Sequence, residues 1–407
     1  MAMRFARRNS KWLVVMVGLL LSGIPLTAQA QEEVWKHHME AASKALQAND
    51  ADEALFSLGN AIREAERFGA EDPRLASTLG IMASFQRSRG NFVEAASLYL
   101  RVVSIQERSL GEDDTEVANT LDTLAMLYRD DQRLESAESA LERALAIREN
   151  AFGMDNPNVD ASVNRLAVIY DAQGKYDEAE TLLRRSVETR KRVLGEDDPQ
   201  VAASLYNLGV LLHKQGDLSE AEAALKRAWQ LREKHFGLQD LELDRSLNGL
   251  AAIYIDQGRY ADAELLLRLS LSIRENKLGR SHPGLVPVLG DLATVLAVQD
   301  HPAEVLTLLE RSIVIEEKTL GNEHPYLVPT LNNLALAHMK LEHYPQAERI
   351  WKRLLELQET TSGRNHPNLI ATLNGLAEVY QKQGRDQLAE PLVQRSQAIL
   401  ERANPSQ

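Results

Sequence analysis

Cysteine is absent from this 407-residue chain. Neither a disulfide nor a lipid-bearing cysteine can hold it, so folding rests on packing alone. Aromatic residues are only 5% of the sequence and prolines number 13. That leaves little material for strands, whose surfaces favour aromatic and β-branched side chains, and it suits short connected helices. Positive charge is also scarce: 46 Lys and Arg against 59 Asp and Glu give a net charge of -13. This is the wrong sign for a general nucleic-acid binder, which gains affinity by neutralising phosphates, and for docking on an acidic lipid surface. The signatures of catalysis are missing as well, with no glycine-rich phosphate loop of either common spacing and no serine in a nucleophile elbow. His338, Glu342 and His343 come nearest to an inverted zinc motif, one residue too long. The expectation is a chain without catalytic residues, metal or cofactor, and not an enzyme.

One apolar run stands out. Arg4, Arg7, Arg8 and Lys11 precede Trp12 to Ile24, followed by Pro25 and the small-residue motif Ala28-Gln29-Ala30. This order predicts a secretory signal peptide over residues 1–30, cleaved between Ala30 and Gln31, and a bacterial periplasmic or secreted protein. An uncleaved inner-membrane anchor is the alternative, although the run falls short of the roughly 20 residues of a comfortable span. Cleavage would remove four cations and no acid, taking the charge from -13 to -17.

What the sequence does contain is a period. Gly69, Gly111, Gly153, Gly195, Gly237, Gly279, Gly321 and Gly363 are 42 residues apart without an insertion. Positions are counted here from each of these glycines. Position +3 is Asp, Asn or His in all eight repeats, including His282, His324 and His366, and +4 is Pro in six. A short polar side chain followed by proline is a helix start, because the side chain caps free amides and proline lacks only an N–H that had no partner. The histidines therefore read as caps rather than metal ligands. The preceding glycine reads as a left-handed C-terminal cap of the helix before. Apolar or small residues at +10, +13, +14 and +17 form one helical stripe, as in Val163, Leu166, Ala167 and Tyr170. A turn near +21 follows, with glycine in five repeats, and then a second stripe at +26, +30 and +33. Each repeat is thus a helix A, a turn and a helix B. Pro287 and Pro329, one turn into helix A, predict a delayed or kinked start there, read as altered pitch or alternatively as a hinge.

Leu121-x-x-Leu124-Ala125-x-x-Tyr128 followed by Ala137-x-x-x-Leu141 resembles the tetratricopeptide signature, although the usual period is 34 residues. Spacing holds through +33, so the eight extra residues must lengthen helix B. The 42-residue form, with phrases such as Leu331-Asn332-Asn333-Leu334-Ala335, is similar to the repeats of kinesin light chain and its bacterial relatives. The resemblance implies an all-α, right-handed solenoid. Its expected parts are a degenerate unit over residues 31–69 and eight units at 70–111, 112–153, 154–195, 196–237, 238–279, 280–321, 322–363 and 364–405.

The resemblance also implies a concave groove at +8, +11, +15, +18 and +19 of helix A. Position +11 holds Asn164, Asn248, Asn332 and Asn374, with Tyr206 in an intervening repeat. Asparagine offers a donor and an acceptor to an extended peptide backbone, or it merely solvates helix A. Val168 and Val210 add an apolar floor, and Arg87, Arg129, His213, Lys340 and Lys382 supply cationic or titratable groups. The expected function is a non-enzymatic scaffold or adaptor for extended, acid-flanked peptide segments of envelope proteins. The alternative is a structural or self-associating envelope protein that uses helix-B edges and array ends.

Overall fold

A computed structural model describes residues 28–238 and 241–403. Most of the expected signal peptide and the expected cap residue Asp240 lie outside the described residues. The chain divides into two compact bodies, Met1–Thr189 and Arg190–Gln407. The first holds α1 (Ala28–Gln47), α2 (Ala51–Glu66), α3 (Pro73–Ser88), α4 (Phe92–Leu110), α5 (Thr115–Asp130), α6 (Leu134–Phe152), α7 (Pro157–Ala172) and most of α8 (Tyr176–Leu194). The second holds α9 (Pro199–Gln215), α10 (Leu218–Phe236), α11 (Leu241–Asp256), α12 (Tyr260–Leu278), α13 (Val286–Val298), α14 (Pro302–Leu320), α15 (Val328–Lys340), α16 (Tyr344–Ser362), α17 (Leu369–Lys382) and α18 (Asp386–Ala403). No strand occurs among the described residues. The degenerate first unit forms a helix pair like the rest, α1 with α2. Ala30 and Gln31, either side of the expected cleavage point, lie in the first turn of α1, where Gln31 donates to the Glu64 carbonyl at 3.3 Å.

Helix A starts as its cap chemistry dictates. Asp72, Asp114 and Asp198 each accept a bond from the amide two residues on. His282, His324 and His366 do the same through Nδ1, from Gly284, Tyr326 and Asn368 at 3.0, 3.2 and 3.2 Å. In repeats six and seven the start is delayed. Short 3-10 turns, Pro283–Leu285 and Pro325–Leu327, precede α13 and α15, because Pro287 and Pro329 have no amide to return to the carbonyl four residues back.

The two turns of each repeat differ, and this corrects the left-handed cap expected at position 0. Gly111, Gly153, Gly237, Gly279, Gly321 and Gly363 have positive φ but ψ between 153 and 171. That region is essentially closed to any residue with a Cβ, which is why this position is never substituted within the chain. The left-handed well is used at +21 instead, where helix A ends: the amide of +22 bonds the carbonyl of +17, as Arg133 to Tyr128 at 2.8 Å and Arg259 to Tyr254 at 2.7 Å. Residues with a Cβ can enter that well at modest cost, and Gln132, Asp300 and Glu342 do so with φ of 59, 62 and 59. The same +17/+22 pair stacks a cation on a ring, with Arg133 over Tyr128, Arg259 over Tyr254 and Arg385 over Tyr380 at 4.5, 4.0 and 4.7 Å.

The core sits between A and B. Ala83, Ala125, Ala167, Ala251 and Ala335 at +14 face Ala95, Ala137, Ala179, Ala263 and Ala347 at +26, all at most 1% exposed. Small side chains let the two backbones approach closely. Gly209 replaces the +14 alanine in repeat four, where an added Cβ would meet Leu225 Cγ at 2.7 Å.

Helix B is 19 residues long in seven repeats, and its last two turns, +34 to +41, carry two ladders to the next repeat. Position +37 reaches position +9 of the following helix A. Gln106 receives a bond from Thr120 at 2.7 Å, Gln358 receives one from Thr372 at 2.6 Å, and Arg148 and Arg232 donate to Ser162 and Ser246 at 2.5 and 2.6 Å. Position +38, usually Glu, pairs with Arg at +32 of the following helix B. Glu107 meets Arg143, Glu149 Arg185, Glu317 Arg353, and Glu359 Arg395, all at 2.5–2.6 Å. Arg353 and Arg395 also donate to the carbonyls of Asn322 and Arg364, at 2.9 and 2.6 Å. The eight residues that separate a 42-residue repeat from a 34-residue one thus form polar clamps between repeats. Repeat five breaks the second ladder, with Leu269 in place of Arg and packed beside Trp229 on an apolar cluster.

Candidate functional site

The helix-A face carries the residues singled out above, and their surroundings differ from repeat to repeat. In the first body, Arg87 donates through Nε to Asp130 at 3.1 Å, and Arg129 holds the other oxygen of Asp130 at 3.0 Å. These guanidinium groups hold the Asp130 carboxyl below the usual range against the opposing effect of burial. Asn164 turns inward: its Nδ2 donates to the Asp160 carbonyl at 2.9 Å and to Ser186 Oγ on helix B at 2.8 Å. Val168 is 42% exposed.

The second body repeats part of this pattern. Asn248 donates to the Asp244 carbonyl at 2.9 Å and accepts from Ser270 at 3.2 Å. His213 and Asp256, one repeat apart, meet at 2.6 Å. Asn332 donates to Asn333 at 3.4 Å, and Lys340 meets Asp300 at 3.2 Å. Val210 is half-buried, whereas Asn374 and Lys382 are exposed. Tyr206 is half-buried against Arg232 and Arg245. The four asparagines are therefore not one uniform row. Those of repeats three and five bond the serine at +33 of their own helix B, whereas Asn332, half-buried, bonds its neighbour Asn333 and Asn374 is exposed.

Most cations of this face are engaged with acids of the adjacent repeat. Asp122, at +11 of repeat two, is 7% exposed and held at 2.7 Å by both Arg148 of its own repeat and Arg165 of the next. A recess of about 380 Å³ opens between α13, α14 and α15. Its wall includes Ala293, Ala297, Val305, Leu309 and Leu336, with Asp300 and Lys340 at the rim. It exists because Ala297 occupies +18, where Arg, Asp, His, Ile, Met or Gln stands elsewhere. Leu336 is 51% exposed at its edge. Spacing arguments missed both this recess and the Arg ladder, although counting +32 in the 42-residue register finds Arg in seven of eight repeats.

Tetratricopeptide-repeat family models match residues 74–150, 159–234 and 326–402, and related models match 245–284 and 123–191. The first three segments alone cover more than half of the chain. The chain belongs to the tetratricopeptide-repeat family. Its all-α solenoid class agrees with two solved structures. One is a STAND ATPase with a tetratricopeptide-repeat sensor from Pyrococcus horikoshii (TM-score 0.59, 14% identity, 91% of this chain and 53% of that one). The other is the apo form of RapI (TM-score 0.56, 13% identity, 91% and 99%). A Podosopora anserina putative kinesin light chain with nearly identical TPR-like repeats is 26% identical over 51% of this chain and 98% of that one, with a TM-score of 0.46. No curated protein matches the sequence. Tetratricopeptide arrays are in general non-enzymatic scaffolds that bind other proteins. No helix among the described residues is long and apolar enough to cross a membrane.

Proposed function

We propose that this tetratricopeptide protein is a periplasmic or secreted scaffold that holds extended segments of partner proteins, in the cell envelope, against its helix-A face. The observation that carries the reading is the recess beside Leu336. It is an apolar hollow on the helix-A face, edged by a hydrogen-bonding Asn333 and by the Lys340 and Asp300 pair. An extended segment can seat one aliphatic side chain there, while the exposed Asn374, together with Asn332, bonds its backbone and Lys382 meets an acidic neighbour. Asn164 and Asn248, whose amides serve their own repeats, act by fixing helix A rather than by touching the ligand. The N-terminal run of residues 12–24 behind four cations supports export.

The test selects binders from a displayed library of unstructured peptides. The protein is taken from the periplasm of a Gram-negative host, where a chain starting at Gln31 is expected. Leu336→Asp should weaken the selected peptides at least tenfold without loss of helicity. Selected peptides that bind Leu336→Asp as well as the parent would refute the groove, and a full-length chain retained in the cytoplasm would refute export.

A further inference from the structure

Arg232 is a buried cation without a counter-ion among the described residues. It lies on the last turns of α10, is 3% exposed, and stands at +37, where its equivalents are accompanied by acids. Arg148 has Asp122 at 2.7 Å, and Arg274 has Asp244 at 2.7 Å. The positions that supply those carboxylates are Ala202 and Tyr206 in repeat four, and neither bears a charge. The one hydrogen bond of Arg232 goes to Ser246 Oγ at 2.6 Å, and among the described residues no carboxylate oxygen comes within ion-pair distance of it. Glu242, on the first turn of α11, acts on it only through space. Burial pushes the guanidinium below its ordinary value, yet arginine stays charged at any physiological pH.

A second guanidinium stands beside it. Arg245, exposed on α11, lies 4.8 Å from the Tyr206 ring, and Arg232 lies 5.2 Å from the same ring. Two like charges therefore share one aromatic side chain on the helix-A face, where +8 and +11 fall. Among the described residues Arg245 makes no ion pair of its own. A site with two cations, a phenol hydroxyl and no acid in contact is electrostatically incomplete, because a buried charge is strongly unfavourable unless something of opposite sign completes it. A planar carboxylate suits the guanidinium fork better than a spherical anion does.

We propose that Arg232, Arg245 and Tyr206 form a binding site for a carboxylate group carried by the bound peptide. The inference rests on the groove reading above and gives it a polar anchor in repeats four and five. The carboxylate can come from a chain terminus or from an Asp or Glu side chain, and the experiment separates the two. Arginine Nε–H resonances of the full chain are followed during titration with acetyl-tetraalanine, with its C-terminal amide, and with acetyl-Ala-Glu-Ala-Ala-amide. Saturable shifts with the free-acid peptide alone support a terminal carboxylate, with the Glu peptide alone a side chain, and with both a general carboxylate site. The tetraalanine amide should produce none. Arg232→Met should abolish the response and raise the ligand-free melting temperature, and Arg245→Gln, at an exposed position, should weaken binding about tenfold. Equal responses to all three peptides, no response to any, a response that survives either substitution, or a lower melting temperature in Arg232→Met would overturn the proposal. If display-selected peptides lose binding to Leu336→Asp yet do not depend on a carboxylate or on Arg232, this site falls and the groove stands. Carboxylate-dependent shifts with no Leu336-dependent peptide mean the reverse.

Discussion

Arg148 tests most directly what the buried polar residues of the long helix B contribute. Its guanidinium, 5% exposed on α6, bonds Ser162 of α7 and, in its own repeat, Asn119 Oδ1 at 2.8 Å and Asp122 at 2.7 Å. Arg148→Met keeps the aliphatic stem and removes the charge. Asp122 then retains only Arg165, whose side chain is 43% exposed, while its Oδ1 already has no partner. Breaking a buried ion pair from one side costs about 3–5 kcal/mol, and the surviving Arg165 contact places this case near 3 kcal/mol. Removing both charges, in Arg148→Met with Asp122→Leu, should recover most of the loss, because an apolar pair of similar volume is often neutral or better. Repeats contribute separately to the stability of an array, so the measurement is amide hydrogen exchange resolved along α5, α6 and α7. Protection there should fall by about 3 kcal/mol in the single variant, with the far helices α1 and α2 unaffected. A loss below about 1 kcal/mol, or a double variant as weak as the single one, would refute the assignment of the loss to an uncompensated Asp122.

The two turn positions make opposite predictions. Gly153→Ala should destabilise by about 1–3 kcal/mol, because φ 78 with ψ 160 excludes a Cβ. Gln132→Gly, relieving a left-handed residue at φ 59, should stabilise by about 1 kcal/mol. Comparable losses or gains at both sites in urea unfolding would contradict the distinction. Glu316 occupies the +37 ladder position and is 8% exposed, with Oε2 unpartnered, and burial raises its pKa. A raised folded value means that its stability contribution is complete below the ordinary value of 4.5 and is lost as pH rises through the folded value. Glu316→Gln, matching Gln106 and Gln358, should therefore stabilise the second body at neutral pH by about 1–2 kcal/mol and leave it unchanged near pH 4. A gain of equal size at both pH values would show that ionisation is not the cause.

The 42-residue register made the A and B stripes, the histidine caps and the delayed helices at Pro287 and Pro329 legible in the sequence, because each depends on residues a turn or two apart. It also showed that the extra residues lengthen helix B. What they do was not legible, since Arg148 meets Ser162 and Arg353 meets Glu317 only once helices from successive repeats lie side by side. The same limit governed the helix-A face. Asn164 and Asn332 are equivalent in register, yet one bonds Ser186 across its helix pair while the other, with Leu354 at that position, bonds its neighbour Asn333. Arg232 looks like Arg148 and Arg274 until the partners across the helix pair are counted. Local pattern determined which residues share a face, through the fixed periods of helix and turn. Tertiary packing decided which of those side chains are already partnered, because charge compensation is settled by neighbours that the chain brings together from about 10 to 43 residues apart.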